Sequence, residues 1–409
     1  AGHPKGSIEY QAANSYVTVA ETINIVNSHL GEGPMPRWPR TKTLNIIPRA
    51  GVDLNAFYDG RSLQFFYVNN ASVGGAVYAV DSADIVSHEC GHAILDCLRP
   101  DLWSAPYIEV GAFHEAFGDF CALMHALSHD ELINYVLAET SNDLSKTNTI
   151  SKLAEQFGQV LWKISPTGRS PDYLRDAANP FKYIDPSTLK EDVADNLLGS
   201  EVHNFSRVMT GTVYDAFVAI YNFKRSEGVN PLDAVRSARD TICMYMVRGV
   251  RVAPLNPKFF QSVLKSMLWV DKNNNNSKYY HLLQDVFGKR DLIVPQFSSL
   301  SSKKCHDHKH IVKTAEISMV KLNVHIVSAQ SSVTNPLYNV EVNIHNESAD
   351  FYDKNGCHFD SCECSHDECI DAAKMFVDYL NATKDVGPDK RTSWEVKEGK
   401  LTRTRTCCC

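Results

Sequence analysis

The segment His88-Glu89-Cys90-Gly91-His92 sets two imidazoles four residues apart, with a carboxylate beside the first. On a helix, residues four apart share a face, so both rings can address one point while Glu89 flanks the same cleft. That geometry suits zinc. Catalytic zinc takes three protein ligands and keeps a fourth position for water, so a further donor must come from another element. The apolar, helix-patterned stretch 111–119 carries His114, Glu115 and Asp119. Glu115 is the candidate third ligand, and Asp119, one turn on, shares its face and can accept the free N–H of a ligating imidazole. Zinc lowers the pKa of its bound water to roughly 7, and Glu89 is the candidate general base. The competing reading is two helical histidines by chance, with Glu115 and Asp119 on a solvated face.

At 409 residues and 44% hydrophobic, the chain can bury a large core divided into two or three units. A net charge of -7 with no Lys/Arg run excludes a nucleic-acid footprint, and no apolar stretch approaches the length that spans a bilayer. The opening residues lack a signal-peptide core, so the chain is either intracellular or stripped of a leader. Cys90, Cys97, Cys121 and Cys243 lie in apolar, helix-patterned surroundings and read as buried free thiols. The other cysteines, Cys305, Cys357, Cys362, Cys364, Cys369 and Cys407 to Cys409, fall after residue 300 and argue for a separate module. Disulfides or free thiols are favoured there over a second, structural metal, because the spacing is irregular for a zinc knuckle.

Apolar positions at Val19, Ile23, Val26 and Leu30, with Gly31 beyond, predict a helix over 10–30. Leu44, Ile46 and residues 63–68 read as strands around 55–58, forming a small sheet above the cleft. Asp81 or Ser82 can cap the helix that carries the two histidines. Residues 109–291 read as mainly helical, with loops at 165–172 and 185–200 and a helix over 208–223. A Ser/Lys-rich linker at 298–304 is followed by strands at 320–326 and 340–344 and a helix over 370–380.

Taken together, His88-Glu89-x-x-His92 and His114-Glu115-Ala-x-x-Asp119 resemble the two zinc motifs of the thermolysin-like neutral metalloproteases, within the gluzincin group. Asn55-Ala56-Phe57-Tyr58 resembles that family's edge strand, which pairs with substrate backbone. Asp172-Tyr173-Leu174-Arg175, leading into 179–186, resembles the segment whose Arg binds a substrate carbonyl, and Val202-His203-Asn204 the one whose His stabilises the tetrahedral intermediate. The match covers residues 44–294 in the family's order. It implies an α+β fold with a two-lobed catalytic domain over 1–297: a sheet-containing lobe over 1–108, a mainly helical lobe over 109–297, and zinc between them. A small cysteine-rich α+β accessory domain would follow at 298–409, joined by few contacts, the alternative being a tail that packs over the catalytic lobes or covers the cleft.

The function implied is zinc-dependent endopeptidase activity on peptides or proteins. Glu89 would be the base, His203 and Tyr107 the oxyanion donors, and His88, His92 and Glu115 the ligands, with Asp119 as orienter. Asn55, Ala56 and Arg175 would hold substrate backbone. Ile85 and Leu174 would line the pocket for a bulky apolar residue after the cleaved bond. The resemblance also leans towards secretion after leader removal, whereas the core cysteines leave an intracellular site open. Three positions depart from the family. Asp84 matches a calcium ligand, but Ala126 replaces another carboxylate of that site, which puts calcium in doubt. Leu198 stands where the family's Asp supports the histidine, with Glu201 or Asp195 as substitutes, and Tyr107 is one residue out of register. The alternatives are a gluzincin exopeptidase, although no Gly-x-Met-Glu-Asn type signature is present, and a non-catalytic zinc-containing binding protein.

Overall fold

A computed structural model of the chain describes residues 2–31, 33, 35–70, 75–164, 170, 172–293, 311–325, 337–352, 358–359, 364–383, 385–387 and 392–407. The fold is mixed α and β. Helix α1 (Ile8–His29) begins where the Ser7 hydroxyl accepts from Tyr10 N–H, and it buries Val19 and Val26. Gly31 follows at φ +88, a left-handed conformation that glycine adopts without a Cβ penalty.

Three short strands come next, β1 (Asn45–Ile47), β2 (Ala56–Tyr58) and β3 (Ser62–Phe65), then the hairpin β4 (Tyr67–Asn70) and β5 (Gly75–Tyr78). Helices α2 (Ala83–Leu98) and α3 (Ile108–Ala126) form the centre of the molecule, and almost every residue of both is buried. Ser82 is the N-cap of α2, as expected, but its side chain makes no capping bond; its hydroxyl donates to Asp84 instead. At its other end α2 is tied to β2 by buried Asp96, which accepts from the Tyr58 hydroxyl at 2.9 Å and pairs with Arg40 at 3.1 Å.

Around this pair lie α4 (Asp130–Glu139), β6 (Lys152–Leu153), α5 (Glu155–Ile164), β7 (Arg175–Asp176), α6 (Val202–Ser226), α7 (Pro231–Val252), α8 (Phe259–Asn275) and α9 (Tyr280–Lys289). A helix buried all round needs an apolar surface all round, and α3 meets this with Phe113, Phe117, Phe120, Leu123 and Met124. No helix among the described residues is long and apolar enough to cross a membrane.

The last quarter contains β8 (Ile311–His325), β9 (Leu337–Tyr352), β10 (His358–Phe359), α10 (His366–Ala382), β11 (Trp394–Lys397), β12 (Lys400–Arg403) and β13 (Thr406–Cys407). Strands β8 and β9 form a hairpin much longer than the predicted strands, in register from Ile311↔Phe351 to His325↔Leu337. Helix α10 opens on a capping box: Ser365 and Glu368 each accept from the other's backbone N–H. The predicted linker, together with Cys305, Cys357, Cys362, Cys408 and Cys409, lies outside the described residues. Cys364 is a buried free thiol, as are Cys90, Cys97, Cys121 and Cys243, and Cys369 is buried as well.

Of the two expectations for this region, the contacts agree with the one in which it packs on the preceding residues. Strand β13 joins the N-terminal sheet, pairing antiparallel with β2 through Thr406↔Tyr58 and Cys407↔Phe57. The sheet order is β1-β3-β2-β13. Glu347 N–H donates to Leu255 O at 2.9 Å, and Trp103 Nε1 donates to Arg403 O at 3.2 Å. Phe376, Leu380 and Trp394 belong to the same apolar core as Phe113 and Phe205. The two parts are sealed by shared core and sheet, because short strands and half-covered helices on each side complete one another.

A candidate metal centre between two helices

Helices α2 and α3 can approach closely because each carries a glycine at their contact. A Cβ on Gly91 would lie 2.9 Å from Gly118 Cα, and one on Gly118 would lie 2.7 Å from His88 Nδ1. No ordinary side chain fits at that spacing. Sequence reading passed over both glycines, although two glycines flanking the histidine and acidic motifs were a signal of close helix packing.

Across this contact Glu115 meets the histidine pair. Its Oε2 is 3.3 Å from His88 Nε2, and its Oε1 is 3.6 Å from His92 Nε2. Glu89 is fully buried, with a carboxylate oxygen within 4.8 Å of the donor nitrogens of His88 and His92. Zinc–ligand bonds of about 2.0–2.2 Å in a tetrahedron put neighbouring donors roughly 3.3–3.6 Å apart. The two Glu115 distances fall in that range, each from a different carboxylate oxygen. His92 Nε2 and Glu115 Oε2 are buried and make no hydrogen bond among the described residues. Two such atoms facing one point are costly in an apolar interior without a shared cation. The residues present form a buried group, His88, Glu89 and His92 with Glu115 beside them, that could hold a metal ion.

Burial disfavours the imidazolium of His92 and holds its pKa well below the ordinary histidine range, and the same holds for buried His114. Neutral imidazole is the ligating form. Burial alone would raise the pKa of Glu115, but His203, His92 and His88 together outweigh it and keep the carboxyl well below the usual range. The residue is an anion.

Asp119 occupies the predicted orienting position. Its Oδ1 is 3.0 Å from His88 Nδ1, and it also receives the Thr210 hydroxyl at 3.0 Å and Arg175 Nη2 at 2.8 Å. Arg175 sits on β7, which pairs with β6 through Leu153↔Arg175. Its guanidinium is engaged by Asp119, and Arg175 lines the cleft.

His203 lies in the first turn of α6, with Nε2 3.6 Å from Glu115 Oε2. Glu201 replaces the missing support expected at position 198: its Oε1 is 2.6 Å from His203 Nδ1, while its Oε2 caps α6 by accepting from Asn204 N–H at 2.8 Å. Asp195 lines the cavity, and its carbonyl accepts from Arg207. Burial would lower the pKa of His203, but Glu201 and Glu115 outweigh it and raise it well above the ordinary value. The ring is cationic at neutral pH.

Tyr107 is not brought to this site. Its hydroxyl donates to His345 O at 2.8 Å and accepts from His345 N–H at 3.0 Å, so strand β9 uses both of its capacities. The one-residue offset in the sequence is enough to turn it towards β9. A cavity of about 620 Å³ opens over Glu115 and His203. Asn55, Leu174 and Arg175 line it as expected, whereas Ala56 is fully buried in β2 and Ile85 lines a small separate void beside Asp84 and Asp119.

The expected pairing edge of β2 is partly taken, because β13 occupies Phe57 and Tyr58. Phe376, Tyr379, Asp385, Trp394 and Arg403 form the opposite wall of the cavity, and sequence reading missed all of them. Tyr379 receives Val202 N–H at 3.5 Å, one residue before His203. Asp84, at the doubtful calcium position, is bonded within the protein, accepting from Ile85 and Ala154 N–H and from the Ser82 hydroxyl. No protein-family model matches the chain, and no curated protein matches it significantly.

Proposed function

We propose that the chain is a zinc-dependent peptidase of the thermolysin-like kind, two-lobed around the α2–α3 centre. The reading rests on one observation: buried His88, Glu89 and His92 bring donor atoms within 4.8 Å of one another, and the two Glu115 oxygens stand at 3.3 and 3.6 Å from the Nε2 atoms of His88 and His92. His88, His92 and Glu115 would hold the ion. When bound, zinc lowers the pKa of water to near neutrality and polarises a carbonyl as a Lewis acid.

The chain's own groups supply the rest. Glu89 sits beside the histidine pair and is the base that takes a proton from the attacking water and returns it to the leaving amine. His203, kept cationic chiefly by Glu201, donates to the oxyanion as charge develops there. Asp119 fixes the His88 ring, and Arg175 with Thr210 fixes Asp119. Leu174 gives the cleft an apolar side that suits a bulky residue after the cleaved bond.

An exopeptidase reading gains support from β13, which removes part of the edge along which a long substrate would lie. Digestion of a mixed peptide library with and without chelator separates the readings. Internal cleavage before Leu, Ile, Val or Phe, abolished by chelator, supports the endopeptidase; release of single terminal residues supports the exopeptidase. Absence of hydrolysis by zinc-loaded protein would overturn both.

A further inference from the structure

A second cluster of metal-ligand side chains lies away from this centre. Glu21 on α1, His125 in the last turn of α3 and His129 just before α4 bring donor atoms within 4.8 Å of one another. None of them belongs to the cleft or to the machinery around His88. His125 Nε2 is 3.0 Å from Glu21 Oε2, and its side chain is 7% exposed. The His129 ring stands nearly edge-on to it, with centroids 4.9 Å apart and planes at 76°.

An ion pair would account for Glu21 and His125 but gives no role to the second imidazole. Burial, reinforced by His129, holds the His125 pKa below its ordinary value despite the adjacent carboxylate. The buried ring lies beside a carboxylate and a second nitrogen donor. His129 is exposed, so open coordination positions face water.

We propose that Glu21, His125 and His129 bind a second divalent transition-metal ion, of the zinc class, that clips α1 to the α3–α4 junction. Two imidazoles and one carboxylate suit zinc or its neighbours and do not suit calcium, which takes six to eight oxygens. Helix α1 is the element such a clip would steady. It packs on α2 beside the histidine pair, where the Thr22 hydroxyl donates to Ser87 Oγ at 3.1 Å and the Cys90 thiol faces Val19 O.

Equilibrium dialysis of the full chain against buffered micromolar free Zn2+, with bound metal counted by mass spectrometry, tests the site. His129 is exposed, so His129→Ala leaves the fold in place. This variant should hold one zinc fewer than the parent, and its zinc-induced rise in Tm should shrink. Affinity at the site should fall by at least the roughly 10–100-fold that loss of an orienting partner costs. Ca2+ at the same concentration should give neither binding nor a Tm rise that depends on His129.

Equal zinc content and equal Tm response in parent and variant would overturn the proposal, as would a Ca2+ response abolished by the substitution. His92→Ala, run alongside, keeps the two sites apart. If it retains the parent's zinc while His129→Ala loses one equivalent, the clip stands and the proposed peptidase centre falls; the reverse pattern removes the clip alone.

Discussion

The α2–α3 pair and the segment from β8 to β13 are built on opposite plans. In the helical pair, the proposed ligands, the base and Asp119 all fall between His88 and Asp119, and two glycines set the spacing. In the later segment, the residues that matter to the cleft are scattered from Phe376 to Arg403, and they reach it only because β9, β13 and α10 dock on distant parts of the chain. Chemistry is concentrated where contacts are local. Enclosure is supplied by contacts that span the whole chain.

The sharpest way to break this comparison is to remove the later segment. A chain ending near residue 299 should fail to give soluble, folded protein, because β2 loses its partner β13 and the apolar core shared with Phe376, Leu380 and Trp394 is laid open. Recovery of a folded, zinc-containing fragment by circular dichroism and metal analysis would show the two plans to be independent. Next in size is Glu89→Gln, expected to keep fold and zinc while hydrolysis falls on the order of 10²–10⁴-fold or more, read from kcat at saturating metal.

Gly118→Ala sharpens the local side of the contrast. Its Cβ would meet the His88 ring at 2.7 Å. Displacing that ring should weaken zinc binding roughly 10–100-fold, the scale seen when the orientation of a ligating histidine is disturbed. Unchanged zinc affinity by titration would mean that the helices can shift apart without cost.

Glu109, at the start of α3, gives a pH test. Burial raises its pKa to about 7, although Phe260 N–H and the Tyr183 hydroxyl donate to it and act in the other direction. Below about pH 4.5 the carboxyl is protonated in both folded and unfolded states. Between 4.5 and 7 only the unfolded state has lost its proton, so stability declines as pH rises, by a total on the order of 3 kcal/mol. Denaturant melts of Glu109→Gln should lack that decline; an identical slope in both proteins would assign it to other groups.

The smallest effect separates Tyr107 from catalysis. Tyr107→Phe removes the bond to the His345 backbone and should cost about 1–3 kcal/mol in unfolding free energy, leaving kcat unchanged. A loss of turnover without a loss of stability would return Tyr107 to the active site.

How much of this was legible in the sequence follows the same division. His88, His92, Glu115 and Asp119 could be placed because helical periodicity alone puts each pair on a face. The buried thiols at Cys90 and Cys121 followed from the same apolar surroundings. Glu201 was one of two candidates at its position, and the start of α6 shows its part, since Glu201 both caps the helix and reaches His203. Tyr379 and Arg403 carried no signal, because their role depends on tertiary docking between residues hundreds of positions apart. The Asn55–Tyr58 strand was found, but its occupied edge was not, for nothing in a strand's own sequence names its neighbour.

The pairing of Thr406 with Tyr58 also bears on how the molecule is made. The Thr406 hydroxyl donates to Tyr58 O across 348 residues of chain. Closing so long a loop costs little more entropy than closing a shorter one, but it is slow, and during synthesis the first sheet waits for the 348 residues between Tyr58 and Thr406 to emerge. Until then β2 presents a bare edge lined by Phe57 and Tyr58, open to any passing strand. The cleft therefore closes late in folding, and the interval before β13 arrives is when this chain is most exposed to misassembly.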